Sequence, residues 1–497
     1  MIASILSDHK LKIFAAYSLI TISSVSAYLY YGVNAFLLIP PSLIIFFLAV
    51  FDYKKITYLT FFLIPLSVDL ALSENSLVVG TPSEPLIGLL ALVAVALLFT
   101  KKFDGKFLRN PMTIFIVIHL ATCLVALFFS TSPIISLKFL TVKTAYILVF
   151  YFLAAQLLSH DIDKVKRLIL LYILGIIPVI IFIIHTHSQS GFDKNVSNLV
   201  TGPFFNDHTI YGACLCLAIP MLTGFILCRK TFNISFFTSL VLCIVLTILL
   251  IALFLTFSRA AWVSLLVSFG VVFIIKIRIP FKLILSVSII IAASFLFAQD
   301  KMVSLLKQNK YDSNAKNAGI DEQMKSVTSI KKDVSNAERV NRWNSAIKMF
   351  KEKPLTGFGP GTYQFTYIPF QMNRDMTEIS ITSAKHHVKP GKGGSAHSEY
   401  LLLLSESGIF PFITFIIIAF MALYYTMKIY NNSQNRKIKI LALCAGSSLM
   451  GYFVHGLFNN FLDQEEAASI FWLLLSSIVV LYLLHKKEQV NSSTLSL

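Results

Sequence analysis

Long uninterrupted apolar stretches recur along this chain and limit the folds that it can adopt. Each is about 17 to 24 residues long, which is the length that an α-helix needs to cross the hydrocarbon core of a bilayer. Only 13% of the 497 residues are charged, compared with about 25% in soluble domains. Because a backbone in lipid must satisfy its hydrogen bonds within its own helix, the sequence predicts an all-α polytopic membrane protein.

The apolar stretches predict about 12–14 transmembrane helices, with fourteen as the preferred count. We expect about eleven in residues 1–298, one large loop with amphipathic helices over 299–407, and about three more, with a short tail, in 408–497. The predicted spans are 12–31, 35–52, 57–72, 84–100, 112–130, 138–159, 168–187, 208–228, 234–257, 260–276, 281–298, 408–427, 438–457 and 468–485.

Basic residues in the connecting loops predict the orientation. Lys and Arg cluster in alternate loops, which by the positive-inside rule are cytoplasmic, and this places both termini in the cytoplasm. The segment 299–407 carries 16 basic residues and lies outside, which the rule permits because long loops translocate regardless of charge. The net charge of +17 therefore points to an anionic lipid partner and membrane lipids, since no nucleic-acid-binding module is visible.

The cysteines and carboxylates predict neither a disulfide framework nor a metal site. All six cysteines lie in or beside apolar stretches, and no CxxC pair occurs. We expect no metal and no cofactor.

One helix is predicted inside the external loop. The stretch "SNAERVNRWNSAIKMFKEKPLTGFGPGTY" (335–363) has apolar residues at helical spacing and is ended by Pro354 and three glycines. Arg339 and Arg342 project from one side of its first turn. Two guanidiniums near a helix N-terminus would suit a pyrophosphate, and a solvated basic edge is the alternative interpretation.

Two polar motifs lie at the outer ends of predicted spans. Arg259 follows Ser258 in a minimal turn, where it either snorkels to lipid headgroups or faces an anionic ligand. Asn206, Asp207 and His208 precede another span, where they either cap the helix or line a polar pocket.

A basic, glycine-rich stretch ends at a histidine. In "GKGGSAHSEY" (391–400), Lys392 and three glycines precede His397, and Glu399 follows it. Histidine can accept a proton near neutral pH, and a glycine-hinged basic segment would suit a flap over an anionic substrate. An exposed histidine without a function is the alternative.

Three stretches in order, "TFSRAAW", "RVNRWNSAIKMFKEKPLTGFGPGTYQF" and "AHSEYLLLLSESGIF", carry a resemblance to a known family. Together they resemble the O-antigen ligase and O-antigen polymerase family of bacterial membrane glycosyltransferases, over about residues 200 to 480. The family's usual asparagine after the histidine is Ser398 here, and Arg339 and Arg342 compete for one motif position.

The resemblance implies a GT-C type fold and a metal-independent, inverting glycosyltransferase in the bacterial inner membrane, with its active site facing the periplasm. The donor would be a glycan on undecaprenyl pyrophosphate, and the acceptor would be lipid A–core or another lipid-linked glycan. His397 would deprotonate or orient the acceptor hydroxyl, while Arg259 together with Arg339 or Arg342 would hold the pyrophosphate and stabilise its charge as it leaves. Independently of the resemblance, we expect Arg339, Asn206, His208, Lys392 and Glu399 to bind the substrate.

Several functions compete at this stage. We favour an O-antigen ligase because a long basic loop suits the phosphates of lipid A–core, and a repeat-unit polymerase of the same family is the first alternative. A lipid-linked oligosaccharide flippase is the second, although transporters usually carry ionisable groups near mid-membrane and this chain keeps its charges in loops. A membrane scaffold would leave the three arginines and the histidine unexplained.

Overall fold

The chain folds almost entirely into helices, as its sequence predicts. The computed structural model describes residues 10–32, 36–37, 39–71, 78–100, 103–291, 293–294, 334–377, 380 and 394–494. The helices, apart from short single turns, are α1 (Lys10–Tyr31), α2 (Ile39–Leu63), α3 (Ser83–Phe99), α4 (Pro111–Leu127), α5 (Pro133–His160), α6 (Lys164–Gln189), α7 (His208–Leu227), α8 (Phe236–Leu255), α9 (Arg259–Lys276), α10 (Phe281–Ile291), α11 (Val334–Glu352), α12 (Glu399–Ser407), α13 (Ile409–Asn432), α14 (Arg436–His455) and α15 (Glu465–Thr494).

Eight of these helices are long and apolar enough to cross a membrane. They are α5 to α9 and α13 to α15, and together they confirm a multi-pass α-helical membrane protein. Ile39–Ala49, α3, α4 and α10 are apolar but shorter. In the described part of the chain, eight helices therefore meet both criteria, fewer than the 12–14 that we predicted from apolar composition.

The predicted span 57–72 is wrong in its second half. Helix α2 leaves helical geometry at Asp52 and ends at Leu63, and a turn containing Pro65 follows. Proline lacks an N–H donor and disfavours helical geometry in the residue before it. The chain then forms strand β1 (Val68–Ala71), which pairs antiparallel with β2 (Val78–Thr81). This small hairpin is an element that the apolar pattern did not predict.

Small residues let three membrane helices approach closely near one end of the bundle. A Cβ on Gly212 of α7 would lie 2.9 Å from the Cβ of Ala261 on α9. A Cβ on Gly451 of α14 would lie 2.1 Å from Ser268 Oγ, also on α9. Such contacts are typical of membrane helices, where packing replaces the hydrophobic effect as the driving force. They fix α7, α9 and α14 beside one another.

The loop segment has a small core of its own and rests on the bundle. Its glycine-rich turn reaches Gly359, whose φ is +114° and whose Cβ would lie 2.1 Å from Ser130 Oγ in the α4–α5 loop. The N–H of Thr131 donates to the carbonyl of Phe358 at 2.9 Å beside this contact. The core that α11, this turn and α12 share consists of Ala346, Met349, Phe358, Tyr363, Tyr367, Ala396 and Leu402.

Candidate active site

The starts of α9 and α12 meet at the end of α14. Ser264 of α9 lies 3.2 Å from the ring of His455, measured from Oγ to Nδ1. The next residue, Gly456, accepts hydrogen bonds through its carbonyl from the N–H of Glu399 (2.8 Å) and the hydroxyl of Ser398 (3.3 Å). Two motifs that are about 130 residues apart in the sequence are thereby brought to one end of the bundle.

Arg259 is the first residue of α9. Ser258 caps this helix, since its hydroxyl accepts the N–H of Ala261 at 3.3 Å. The Arg259 side chain is half-buried. A cation here stands at the positive end of the helix dipole, which favours an anion as its neighbour.

Arg342 is buried in the loop segment and is paired with a carboxylate. Its Nε lies 2.8 Å from Glu338 Oε1, and both side chains are about 5% exposed. The guanidinium also donates to the carbonyl of Ser395 at 3.3 Å and lies 4.9 Å from the ring centre of Tyr367. A Cβ on Gly394, whose φ is +77°, would lie 1.8 Å from Arg342 Nη1. These contacts fix the position of the irregular segment 394–396, which leads to His397.

Arg339 stands in a different environment, although it lies only one turn away on the same helix. It is half-buried. It interacts electrostatically with three histidines that come from separate elements, namely His208, His397 and His455. The structure therefore separates the two arginines that the sequence left as alternatives: Arg342 has an internal carboxylate partner, and Arg339 stands among histidines.

His397 has a constrained backbone. Its φ is +49°, a left-handed conformation that is uncommon for residues other than glycine and that clusters at functional sites. The indole N–H of Trp343 on α11 donates to its carbonyl at 3.2 Å, and its own N–H donates to Ser395 Oγ at 3.3 Å. Ser398 then caps α12 by accepting the N–H of Leu401.

The imidazole of His397 is held unprotonated. Burial lowers its pKa to about 4, helped by repulsion from Arg339 and Arg342, while Asp207 and Glu338 act in the opposite direction. The ring makes no hydrogen bond to any residue in the described ranges. A neutral ring nitrogen can accept a proton, but a pKa this low makes the ring a weak base until a bound anion raises the pKa.

In the Asn206–His208 run, the structure confirms the helix cap, whereas a role in lining a substrate pocket stays a prediction. Asp207 caps α7, since Oδ1 accepts the N–H and the hydroxyl of Thr209 at 2.6 and 2.7 Å. His208 Nδ1 lies 3.3 Å from Asp207 Oδ1, and His208 stands within the electrostatic reach of Arg339. Asn206 is exposed and donates to Asp69 Oδ2 of β1 at 3.1 Å.

Glu399 lies inside the protein. Oε1 accepts hydrogen bonds from the hydroxyl of Tyr452 and from the N–H groups of Phe461 and Leu462, at 2.9, 2.7 and 2.9 Å. Burial raises the pKa of this carboxyl above its ordinary value. Its observed contacts tie α12 to the α14–α15 loop and are all internal. Lys392 lies outside the described residues.

Sequence reasoning missed two residues of this site. Glu338 lies four positions before Arg342, and an i, i+4 pair of opposite charges signals an intrahelical ion pair; that spacing could have separated the two arginines. His455 has no comparable signal, because a histidine at the end of an apolar helix is an ordinary capping or core residue.

Residues 242–416 match the family model described as O-antigen ligase. This part of the chain is similar to O-antigen ligases. This confirms the resemblance that the motifs predicted, and the matched range contains Arg259, Arg339, Arg342 and His397, whereas His208 and His455 lie outside it. The chain has no match among the curated proteins.

The family gives a general function. Its members act in glycan transfer of the ligase or polymerase type, with lipid-linked glycan substrates at a membrane. The match does not distinguish a ligase from a polymerase.

Proposed function

We propose that this O-antigen ligase family protein transfers a glycan from undecaprenyl pyrophosphate to a sugar hydroxyl of lipid A–core at the periplasmic face of the inner membrane. The observation that carries the proposal is the His397 imidazole, which is neutral and without a hydrogen-bond partner among the described residues, beside Arg339. A base next to a fixed cation is the pair that this reaction needs, because a hydroxyl must lose a proton while a pyrophosphate gains charge.

The reaction needs no group beyond these side chains. The acceptor hydroxyl gives its proton to the His397 ring, and its oxygen attacks the anomeric carbon of the donor. The bond from that carbon to the pyrophosphate oxygen breaks, and the lipid pyrophosphate leaves with the electron pair. Attack from the side opposite the pyrophosphate inverts the anomeric carbon.

The arginines have different parts in this proposal. Arg339 and Arg259 bind the pyrophosphate and stabilise the charge that develops on it as it leaves. The charge of Arg342 is already neutralised by Glu338. Because its guanidinium donates to the carbonyl of Ser395, Arg342 instead holds the backbone that leads to His397 in position.

A ligase is distinguished from a polymerase by what accumulates in its absence. We expect a strain that lacks the gene to lose long glycan from lipid A–core while lipid-linked polymer builds up in the membrane. Single repeat units on lipid A–core would instead indicate a polymerase. Absence of any donor at the outer face would indicate a flippase and contradict the proposal.

The same strain tests the base. Complementation with His397→Ala should leave the protein in the membrane and abolish transfer. His185→Ala is the matched control, since His185 is an exposed histidine near the end of α6 whose ring contacts Gln189 of the same helix. Full transfer by His397→Ala would remove His397 from the mechanism.

A further inference from the structure

A buried histidine closes the last turn of α14. His455 is 1% exposed. Its Nδ1 lies 3.2 Å from Ser264 Oγ on α9, and its Nε2 lies 3.1 Å from Asn459 Nδ2 in the α14–α15 loop. Both ring nitrogens are therefore in hydrogen-bond contact with other elements of the bundle.

These contacts fix the ring in one neutral tautomer. The Ser264 hydroxyl donates to the carbonyl of Ala260 at 2.6 Å, so its oxygen is left to accept a proton from His455 Nδ1. The amide of Asn459 donates to Nε2, which must then be unprotonated. A second proton on the ring would face the amide hydrogens and break this bond. His455 is thus a fixed connector, with no role as a base.

One end of this connector is the first turn of the helix that begins at Arg259. The hydrogen bonds run from His455 through Ser264 to the carbonyl of Ala260, the residue that follows the arginine. This turn is closely packed, since a Cβ on Gly212 would lie 2.9 Å from the Cβ of Ala261. We therefore expect a displacement of the His455 ring to displace the turn as well.

The other end is the first turn of the helix that follows His397. The carbonyl of Gly456 accepts both the N–H of Glu399 and the hydroxyl of Ser398. A Cβ on Gly456 would lie 3.2 Å from Glu399 Cγ, so the two chains are packed closely here. His455 and Gly456 thereby connect the first turn of α9, which begins at Arg259, with the first turn of α12, which follows His397.

We propose that His455 is a positioning residue that sets the place of Arg259 relative to His397. The inference rests on the proposed function, because it matters only if both groups act on one donor and one acceptor. Catalytic groups must be held within a fraction of an ångström, and a neutral, doubly bonded ring at the junction of α9, α12 and α14 can provide this.

Glycan transfer by the full-length protein in lipid nanodiscs tests the inference, with an undecaprenyl-pyrophosphate-linked glycan as the donor. We expect His455→Ala and Ser264→Ala to lower kcat on the order of 100-fold, the loss typical of a misplaced catalytic group. Ser268→Ala is the matched control: it removes a buried hydroxyl one turn further along α9, and within the described part of the chain this hydroxyl donates to the carbonyl of Ser264. It should keep the wild-type rate.

A double-variant cycle separates positioning from general stability. If His455 acts through Arg259, then His455→Ala should change kcat by no more than about twofold when Arg259 is already alanine. Equal losses in both backgrounds would overturn the inference, and so would a His455→Ala rate equal to that of Ser268→Ala. If His455→Ala fails to fold, the same comparison is made with Ser264→Ala, which removes the hydrogen-bond partner of His455 on α9. An inactive wild-type protein would instead overturn the proposed function, and the inference with it.

Discussion

Among single residues, His397 is set up to be unprotonated before any substrate arrives. Burial, with help from Arg339 and Arg342, lowers its pKa to about 4, so the active form is lost only as the pH falls through this value. We predict that kcat/KM, which reports the free enzyme, falls only near this acidic limit. The donor's pyrophosphate should offset the arginines and raise the pKa, so the acid limb of kcat should lie at higher pH.

The pH dependence of both constants, measured from about pH 3 to 8 at constant ionic strength so that the range extends below the predicted limb, checks this. An acid limb of kcat/KM near about 6.5, the ordinary value for histidine, would mean that the ring is solvated. A kcat limb at lower pH than the kcat/KM limb would contradict the arrangement of arginines around the donor.

The ion pair between Arg342 and Glu338 should contribute to stability, and this contribution can be measured separately from catalysis. Removing one partner of a buried ion pair leaves an uncompensated charge and typically costs about 3–5 kcal/mol, while replacing both by apolar residues is often neutral. We predict that Glu338→Leu lowers the unfolding temperature strongly and that Glu338→Leu/Arg342→Met restores it. Transfer activity should stay low in the double variant, because it lacks the bond from Arg342 to the carbonyl of Ser395. A double variant with full activity would show that Arg342 does not position His397.

Among the elements, the glycine-rich turn joins the loop segment to the membrane helices. Gly359 has a φ of +114° and no room for a Cβ beside Ser130, so Gly359→Ala adds both backbone strain and a clash. We predict a loss of at least about 1–3 kcal/mol from the strain alone, seen as a lower unfolding temperature. Gly270→Ala in α9 is the control: open space surrounds it, and alanine gains about 1 kcal/mol of helix propensity over glycine. Equal stability of the two variants would contradict the contact.

Periodicity and apolar length made most helices predictable, because a membrane helix satisfies its backbone hydrogen bonds within itself, whatever helices surround it. The hairpin β1–β2 could not be predicted in this way, since Pro65 interrupts an apolar run whose remainder, Val68–Ala71, pairs with the next strand, Val78–Thr81, instead of continuing a helix. Arg259, Arg339 and His397 could be singled out by motif. The pairing of Arg342 with Glu338 has a sequence signal in its i, i+4 spacing, whereas the burial of this pair depends on three-dimensional packing.

For the whole molecule, the charge pattern predicts which side of the membrane holds the site. The loop 433–435 joins α13 to α14 at the end opposite the site and precedes Arg436 and Lys437, whereas the α6–α7 connection lies beside His208. By the positive-inside rule the first is cytoplasmic and the second is periplasmic. In a cysteine-free background, a membrane-impermeant maleimide should label Asn195→Cys in intact spheroplasts. It should label Gln434→Cys only after permeabilisation. Both positions are exposed, so access to the probe depends on sidedness alone. The reverse pattern would place His397 in the cytoplasm, where a periplasmic acceptor could not reach it.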